Sequence, residues 1–260
     1  MASFASNHLA LPGGFRIHWY EIEHVLGQGG FGITYLAHDM NLDQQVAIKE
    51  YLPTELATRS ADSTVHPMTD GHVETFAWGL SRFVTEAQTL AKFRHPNIVR
   101  VMSVFEQNNT AYMIMEYEAG RTLGSALHRN EFRDETSVRA LLLAILDGLE
   151  LVPAAGFIHR DIKAENVLVP EDGSPVLLDF GSARQALGSE TRALTALVTP
   201  GYAPFEQYGG SKDDDRQGPW TDIYGLGATI YGIVTGTGPL DAMVRVNSIL
   251  DGGTDPFCGE

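Results

Sequence analysis

Hydrophobic and polar positions change their rhythm part-way along the chain. Ile22–Leu26, Ile33–Ala37 and Val46–Ile48 are short β-branched or aromatic runs separated by glycine or polar turns, and they predict strands. Residues 51–75 carry Pro53, Pro67 and Gly71 and read as irregular. A helix follows, because Phe76, Leu80, Phe83, Ala87 and Leu90 recur at spacings of 4, 3, 4 and 3 and form one apolar face. Two more strands are predicted at Val99–Phe105 and Ala111–Met115. Past Gly120 the helical period returns in Val138, Leu141, Leu142, Ile145 and Leu149. Val167–Val169 and Val176–Leu178 flank the turn formers Pro170–Pro175 and predict a hairpin. The pattern is that of an α+β chain: a β-rich lobe of about 100 residues and a helical lobe, joined near Glu116–Gly120. A cleft between two lobes is a favoured place for a small-molecule site.

Composition narrows the function classes. The chain has 260 residues, 43% hydrophobic and 20% charged, which is ordinary for a globular protein. Its 18 Lys+Arg against 33 Asp+Glu give a formal charge of −15, a surface that repels nucleic acid and anionic lipid. The single cysteine, Cys258, excludes an internal disulfide and suits a reducing compartment. The longest apolar run, Ala140–Leu146, is far below the ~20 residues that span a bilayer. Met1–Gly14 lacks the basic and apolar regions of a secretory signal. A cytoplasmic location, with neither nucleic-acid nor membrane contact, is the expectation.

Three clusters carry candidate chemistry. Gly27-Gln28-Gly29-Gly30-Phe31-Gly32 places four glycines in six residues, which lets backbone N–H groups turn toward an anion. A plain hairpin turn is the alternative. Because Ile33-Thr34-Tyr35 continues as a strand and not as a helix, a glycine hairpin over a nucleotide is favoured over a dinucleotide fold. Glu86 lies on the apolar face of its helix, so its carboxylate calls for a cation, and Lys49 at the end of Val46-Ala47-Ile48 is the candidate. Both side chains reaching solvent is the other possibility. In the hairpin, pairing Val169 with Val176 would set Asn166 opposite Asp179, two hard oxygen donors that suit Mg²⁺. In an isolated hairpin, ordinary turn residues at strand ends would be the favoured reading of this pair.

With His159-Arg160-Asp161 before Asn166, and Phe180-Gly181 after Asp179, the chain from about Tyr20 to Gly236 resembles the eukaryotic-type protein kinase family, particularly its bacterial Ser/Thr members. The motifs stand in family order. Thr199-Pro200-Gly201-Tyr202-Ala203-Pro204-Phe205-Glu206 looks like the end of an activation segment, and Asp222 like the buried anchor of the central helix of the second lobe. The resemblance implies a bilobal fold, with one main helix in the β-rich N-lobe and a mostly helical C-lobe that lacks its last helices. The boundaries expected are a loose leader at 1–14, the N-lobe at 15–117, a partial C-lobe at 118–250 and a tail at 251–260. It further implies transfer of the ATP γ-phosphate to Ser/Thr hydroxyls of a protein substrate, autophosphorylation included. Gly27–Gly32 would cover the phosphates, Lys49 would contact them and Glu86 would fix Lys49. Thr34, Ala47 and Leu168 would sandwich the adenine, with Met115 as gatekeeper and Glu116 and Glu118 reading its edge. Asn166 and Asp179 would hold Mg²⁺, or Mn²⁺ in its place. Asp161 would orient or accept the proton of the acceptor hydroxyl, and Lys163 would steady the γ-phosphate.

Departures from the family pattern are few. Thr34 replaces the usual Val. About 18 extra residues, Tyr51 to roughly Met68, separate Lys49 from Glu86 and are a candidate docking site for a regulatory partner. No Arg stands where the family pairs one with Glu206. Segment 182–198 is expected to be regulatory, with Ser189, Thr191 and Thr195 as phosphate acceptors and Arg160 as the cation that receives the phosphate. The alternative function is a nucleotide-binding pseudokinase or scaffold, which the intact set Lys49, Glu86, Asp161, Asn166 and Asp179 disfavours. A small-molecule kinase is disfavoured by Lys163 and Thr199.

Overall fold

The computed structural model describes residues 8–129, 131–132, 134–154, 157–180, 198–209 and 216–258. The chain divides into two units, Met1–Arg94 with Arg100–Glu118, and His95–Val99 with Ala119–Glu260. No helix among the described residues is long and apolar enough to cross a membrane.

The first unit is built on a six-stranded antiparallel sheet in the order β1-β2-β3-β4-β8-β7. Its strands are β1 (Arg16–Ile17), β2 (Tyr20–Gly29), β3 (Gly32–Asp39), β4 (Gln44–Tyr51), β7 (Val101–Gln107) and β8 (Thr110–Glu116). Strands β5 (Ala57–Arg59) and β6 (Val65–Pro67) form a separate hairpin. Two-residue connections set the register: Gly30-Phe31 joins β2 to β3, while Asn108 and Asn109, both at φ 55°, make the left-handed turn between β7 and β8. The strands reach one to three residues beyond most of the predicted apolar runs. β7 starts later than expected, because Val99 and Ile98 pair with Leu177 of the second unit's chain segment.

Period-2 alternation sorts the sheet into two faces. Thr34, Lys49 and Met113 are in register on one face, followed there by Leu36, Ala47 and Met115. Helix α1 (Val73–Leu90) buries Phe76, Phe83, Glu86, Ala87 and Leu90. Tyr51, which shares a face with Lys49, donates its hydroxyl to the Phe76 carbonyl at 3.2 Å and packs its ring on Phe76 and Phe83. The opposite face carries Ile33, Glu50 and Tyr112 in register, with Tyr35, Ile48 and Ile114 beside them.

That opposite face corrects two expectations. Residues 51–75 are not irregular: β5 and β6 pair through Ala57–Pro67 and Arg59–Val65, and α1 already begins at Val73. The hairpin is too short to show periodicity, and its order comes from contacts distant in sequence. Arg59 lays Nη2 on Glu50 Oε2 at 2.5 Å, Nη1 on the Ser63 carbonyl at 2.9 Å and Nε on the Leu9 carbonyl at 2.7 Å. Residues 8–14 are likewise no loose leader. Leu9 and Leu11 are buried, and the Leu11 N–H donates to the Tyr35 hydroxyl, which in turn donates to Glu50 Oε2 at 2.8 Å. Burial and the neighbouring Glu50 charge push the Tyr35 phenol well above its usual range, so it stays a donor. Burial disfavours the Arg59 charge, but the Glu50 hydrogen bond and charge outweigh it and raise the guanidinium pKa.

In the second unit α2 (Leu123–His128) and α3 (Glu135–Ala154) precede a small sheet ordered β11-β10-β9, from β9 (Gly120–Thr122), β10 (Val167–Pro170) and β11 (Val176–Leu177). Helices α4 (Pro219–Thr235) and α5 (Ala242–Leu250) follow. The predicted face of α3 is buried at Leu141, Ile145 and Leu149. The hairpin register differs from the expectation by one residue. Leu168 faces Val176 and Val167 faces Leu177, so Asn166 pairs with Leu178, whose N–H reaches the Asn166 carbonyl at 2.8 Å. Pro175 has no N–H to extend the ladder, and on its other side β10 pairs Leu168 with Thr122 and Val169 with Arg121. Asp179 therefore lies past the ladder, at φ 48°.

One glycine of the hairpin is demanded by packing. A Cβ on Gly32 would sit 2.1 Å from the Glu50 carbonyl oxygen, whereas nothing lies within 4 Å of one on Gly27, Gly29 or Gly30. Gly32→Ala is expected to cost about 1–3 kcal/mol, the usual range for overpacking, and alanine at the other three positions less than about 0.5 kcal/mol. Urea unfolding of the four variants checks this.

Candidate active site

His159, Arg160 and Asp161 form a connection without regular structure, and its shape is set from outside. The Asp222 carboxylate, 4% exposed on α4, accepts the His159 N–H at Oδ2 and the Arg160 N–H at Oδ1, each at 2.8 Å. Arg160 is held at φ 67°, a left-handed conformation that a non-glycine residue adopts at a cost. Gln207 Nε2 donates to the Arg160 carbonyl at 2.9 Å, and Arg160 Nε donates to Gln217 Oε1 at 2.9 Å. His159 is fully buried against the Phe180 ring, with centroids 4.3 Å apart. Its Nε2 bonds the Leu178 carbonyl at 2.9 Å and its Nδ1 accepts the Asp161 N–H at 3.3 Å. This partner set requires the neutral ring, protonated on Nε2.

The product of that framing is one carboxylate with side-chain donors around it. Asp161 Oδ1 accepts the Thr199 hydroxyl at 2.8 Å, and Oδ2 accepts Asn166 Nδ2 at 2.7 Å. Lys163 Nζ lies 3.0 Å from Oδ2 and donates to the Thr199 hydroxyl, also at 3.0 Å. Asn166 Nδ2 also donates to the Asp161 carbonyl at 2.8 Å, so the amide's donors are spent and its oxygen is the group left for a ligand. The cluster can orient a hydroxyl, accept its proton and present an ammonium to an anion.

Within the first unit Lys49, Thr34, Ala47 and Met115 share one face of the sheet, as the expected adenine and phosphate residues must. Ala47 and Met115 are buried and Glu86 is 1% exposed on α1. Glu116 donates its N–H to the Arg100 carbonyl at 2.9 Å. Leu168 belongs to the second unit, between Thr122 and Val176. Gly181 and the candidate acceptors Ser189, Thr191 and Thr195 lie outside the described residues.

Residues 20–252 match the model of the protein kinase domain. The chain belongs to the protein kinase family. This kinase domain is 33% identical over 85% of its length to serine/threonine-protein kinase C of Synechocystis sp., and 36% identical over 86% to serine/threonine-protein kinase PksC of Streptomyces coelicolor. It spans 39% and 38% of the length of those two relatives. Among solved structures it is similar to the apo form of PpkA-294, with a TM-score of 0.84 and 40% identity, covering 92% of this chain and 83% of that one. The kinase fold is thereby shown.

Some of the kinase domain's site was not legible from the motifs. Thr199 bonds both Asp161 and Lys163 from 38 and 36 positions away, and Gln207 and Gln217 brace Arg160 from 47 and 57 positions away. No local spacing signals such partners.

Two outcomes follow from the frame. Asp222→Ala removes two charge-assisted bonds to backbone amides, one buried and one part-buried, each worth about 1.5–3 kcal/mol, and should unfold the second unit at markedly lower urea. Burial, outweighing the nearby Asp222 and Asp161 charges, holds the His159 ring below its ordinary value of 6.5. Its contribution to stability is then complete above pH 6.5 and lost as pH falls, because the unfolded chain binds the proton first. An NMR titration should find the His159 ring neutral at pH 6.5; titration at or above that value contradicts the assignment.

Proposed function

We propose that this domain transfers the γ-phosphoryl group of ATP to Ser/Thr hydroxyls of proteins, itself included. The observation that carries the reading is the Asp161 carboxylate, held by Lys163, Asn166 and Thr199 in a pocket of side-chain donors. A hydroxyl already occupies Oδ1 at 2.8 Å, which is the contact an acceptor hydroxyl needs. Membership of the kinase family, and the serine/threonine-protein kinases among its relatives, support the same reaction.

In the transfer the acceptor oxygen forms a bond to γ-phosphorus, the bond from γ-phosphorus to the β–γ bridging oxygen breaks, and ADP departs. Asp161 orients the hydroxyl and takes its proton. Lys163 offsets charge on the transferred group. Lys49, with Glu86, holds the α and β phosphates, while the backbone of Gly27–Gly32 covers them and Gly27, Gly29 and Gly30 leave room for close approach. Thr34, Ala47, Leu168 and Met115 pack the base, and Glu116 and Glu118 read its edge.

The donor set fits a divalent ion. Among the described residues no group of three His, Cys, Asp or Glu is arranged to hold a metal. The Asn166 oxygen and the Asp179 carboxylate supply hard oxygens, and phosphate oxygens would complete the shell in the way Mg²⁺ prefers. A Mg²⁺ ion there, or Mn²⁺, would neutralise phosphate charge. The acidic balance of the chain and its lone cysteine favour a protein substrate in the cytoplasm over nucleic acid or membrane.

Labelled ATP with Mg²⁺ and a generic basic protein tests the reading. Asp161→Asn should slow transfer by roughly 10²- to 10⁴-fold with ATP binding retained, and Asp179→Asn should abolish Mg-dependent transfer with the fold intact. Transfer by either variant at the wild-type rate removes the role assigned to that residue. ATP binding by the wild type without any transfer would favour a scaffold.

A further inference from the structure

The stretch between Lys49 and α1 is attached to the glycine hairpin as well as to β4. The Leu52 N–H donates to the Phe31 carbonyl and the Thr54 N–H to the Gly30 carbonyl, each at 3.1 Å. Gly32 packs directly on the Glu50 backbone. Glu50 is itself 0% exposed and adjoins Lys49 in β4, so its side chain leaves by the opposite face. There Arg59, its side chain 5% exposed, ties Glu50 to the leader at Leu9 and to the hairpin turn at Ser63. The hairpin is anchored again by the Val65 N–H on the Asn108 carbonyl at 2.9 Å and by Asn109 Nδ2 on the Val65 carbonyl at 2.7 Å.

We propose that Arg59 is a positioning residue for nucleotide binding, through which the insert braces the strand of Lys49 and the tip of the glycine hairpin from behind. The inference rests on the kinase reading and deepens it. Phosphate binding by a glycine hairpin depends on where its backbone sits, because Gly27, Gly29 and Gly30 have no side chains to anchor it. A guanidinium with donors in a planar fork can hold Glu50, Leu9 and Ser63 at once, which an ammonium on a flexible stem cannot do in the same geometry. Thr54 and Leu52 pass the constraint to the tip. The insert thus acts on the domain that contains it, whatever its exposed turn at Ser60–Asp62 also meets.

The experiment compares the whole chain with Arg59→Met, Arg59→Lys and, as a control, Glu55→Gln on the exposed surface of the insert. Each is read well below its own melting temperature for the ATP dissociation constant, for KM and kcat, and for amide exchange at 30–34 and 46–52. The expected result for Arg59→Met is an ATP dissociation constant and KM raised about tenfold, with kcat at saturating ATP within about twofold and faster exchange at those amides. Arg59→Lys should recover part of the loss and Glu55→Gln should match wild type. If Arg59→Met does not fold, the partial shift in Arg59→Lys decides. A merely structural Arg59 would lower the melting temperature and leave ATP binding and KM unchanged, and that result overturns the proposal. So does an equal effect from Glu55→Gln, which would point to the exposed surface. Wild-type protein that fails to bind ATP defeats the kinase reading and this inference with it, whereas wild type that binds while the variants bind equally well defeats the inference alone.

Discussion

The geometry of the Asp161 cluster in the second unit depends on another carboxylate, that of Asp222. Asp222 is buried on a helix and spends both oxygens on the amides of His159 and Arg160. A buried carboxylate without donors would be expensive, and a buried His159 amide without an acceptor would be too. Each solves the other's problem only if Arg160 turns left-handed, at a cost of roughly 1–3 kcal/mol. Two charge-assisted bonds at about 1.5–3 kcal/mol each outweigh that cost. The chain is thereby bent at one residue, and the bend aims Asp161 at Lys163, Asn166 and Thr199.

The first unit solves a related problem with a strand. Consecutive residues in β4 face opposite ways, so Lys49 and Glu50 cannot serve the same surface. One face takes Thr34, Ala47, Met115 and Lys49, and is backed by α1. The other takes an acid that must be neutralised, and the neutralising Arg59 arrives on the insert. The strand that carries Lys49 is thus gripped at the very next residue, which makes its position depend on segments remote from it in sequence.

What was legible in the sequence was what is local in it. Strands β2, β3, β4, β7, β8, β10 and β11, the apolar faces of α1 and α3, and the ordered motifs from Gly27 to Asp179 show within windows of a few residues, whereas β1, β5, β6 and β9 do not. Asp222 was recognised by its neighbours in the chain, Ile223 to Gly227, and not by any sign of the two amides it holds. The hairpin register differs by one because apolar residues alone do not fix it, and the ladder continues through the Leu178 N–H on the Asn166 carbonyl. Residues 51–75 read as irregular because the order of the β5–β6 hairpin within them is imposed by Glu50, Asn108 and Leu9. The first and last of these lie 9 and 50 positions from Arg59. Hydrophobic periodicity carries no trace of a hydrogen bond between distant loops.

Asp222, Glu50 and Asp161, three of the buried carboxylates among the described residues, are held in three different ways, and the difference separates support from exchange. Asp222 is bound by backbone amides, which cannot leave without unfolding the segment. Glu50 is bound by a guanidinium and a phenol whose proton is held tightly by burial, a cross-link between elements. Asp161 is bound by an ammonium, an amide and an aliphatic hydroxyl, all on side chains that can rotate. Only the last kind of partner can give way to an incoming hydroxyl without disturbing the backbone. A site that must exchange one hydrogen bond for another in each cycle needs its carboxylate held by movable donors on an immovable frame, and the Asp161 cluster on the Asp222 anchor is built in that way.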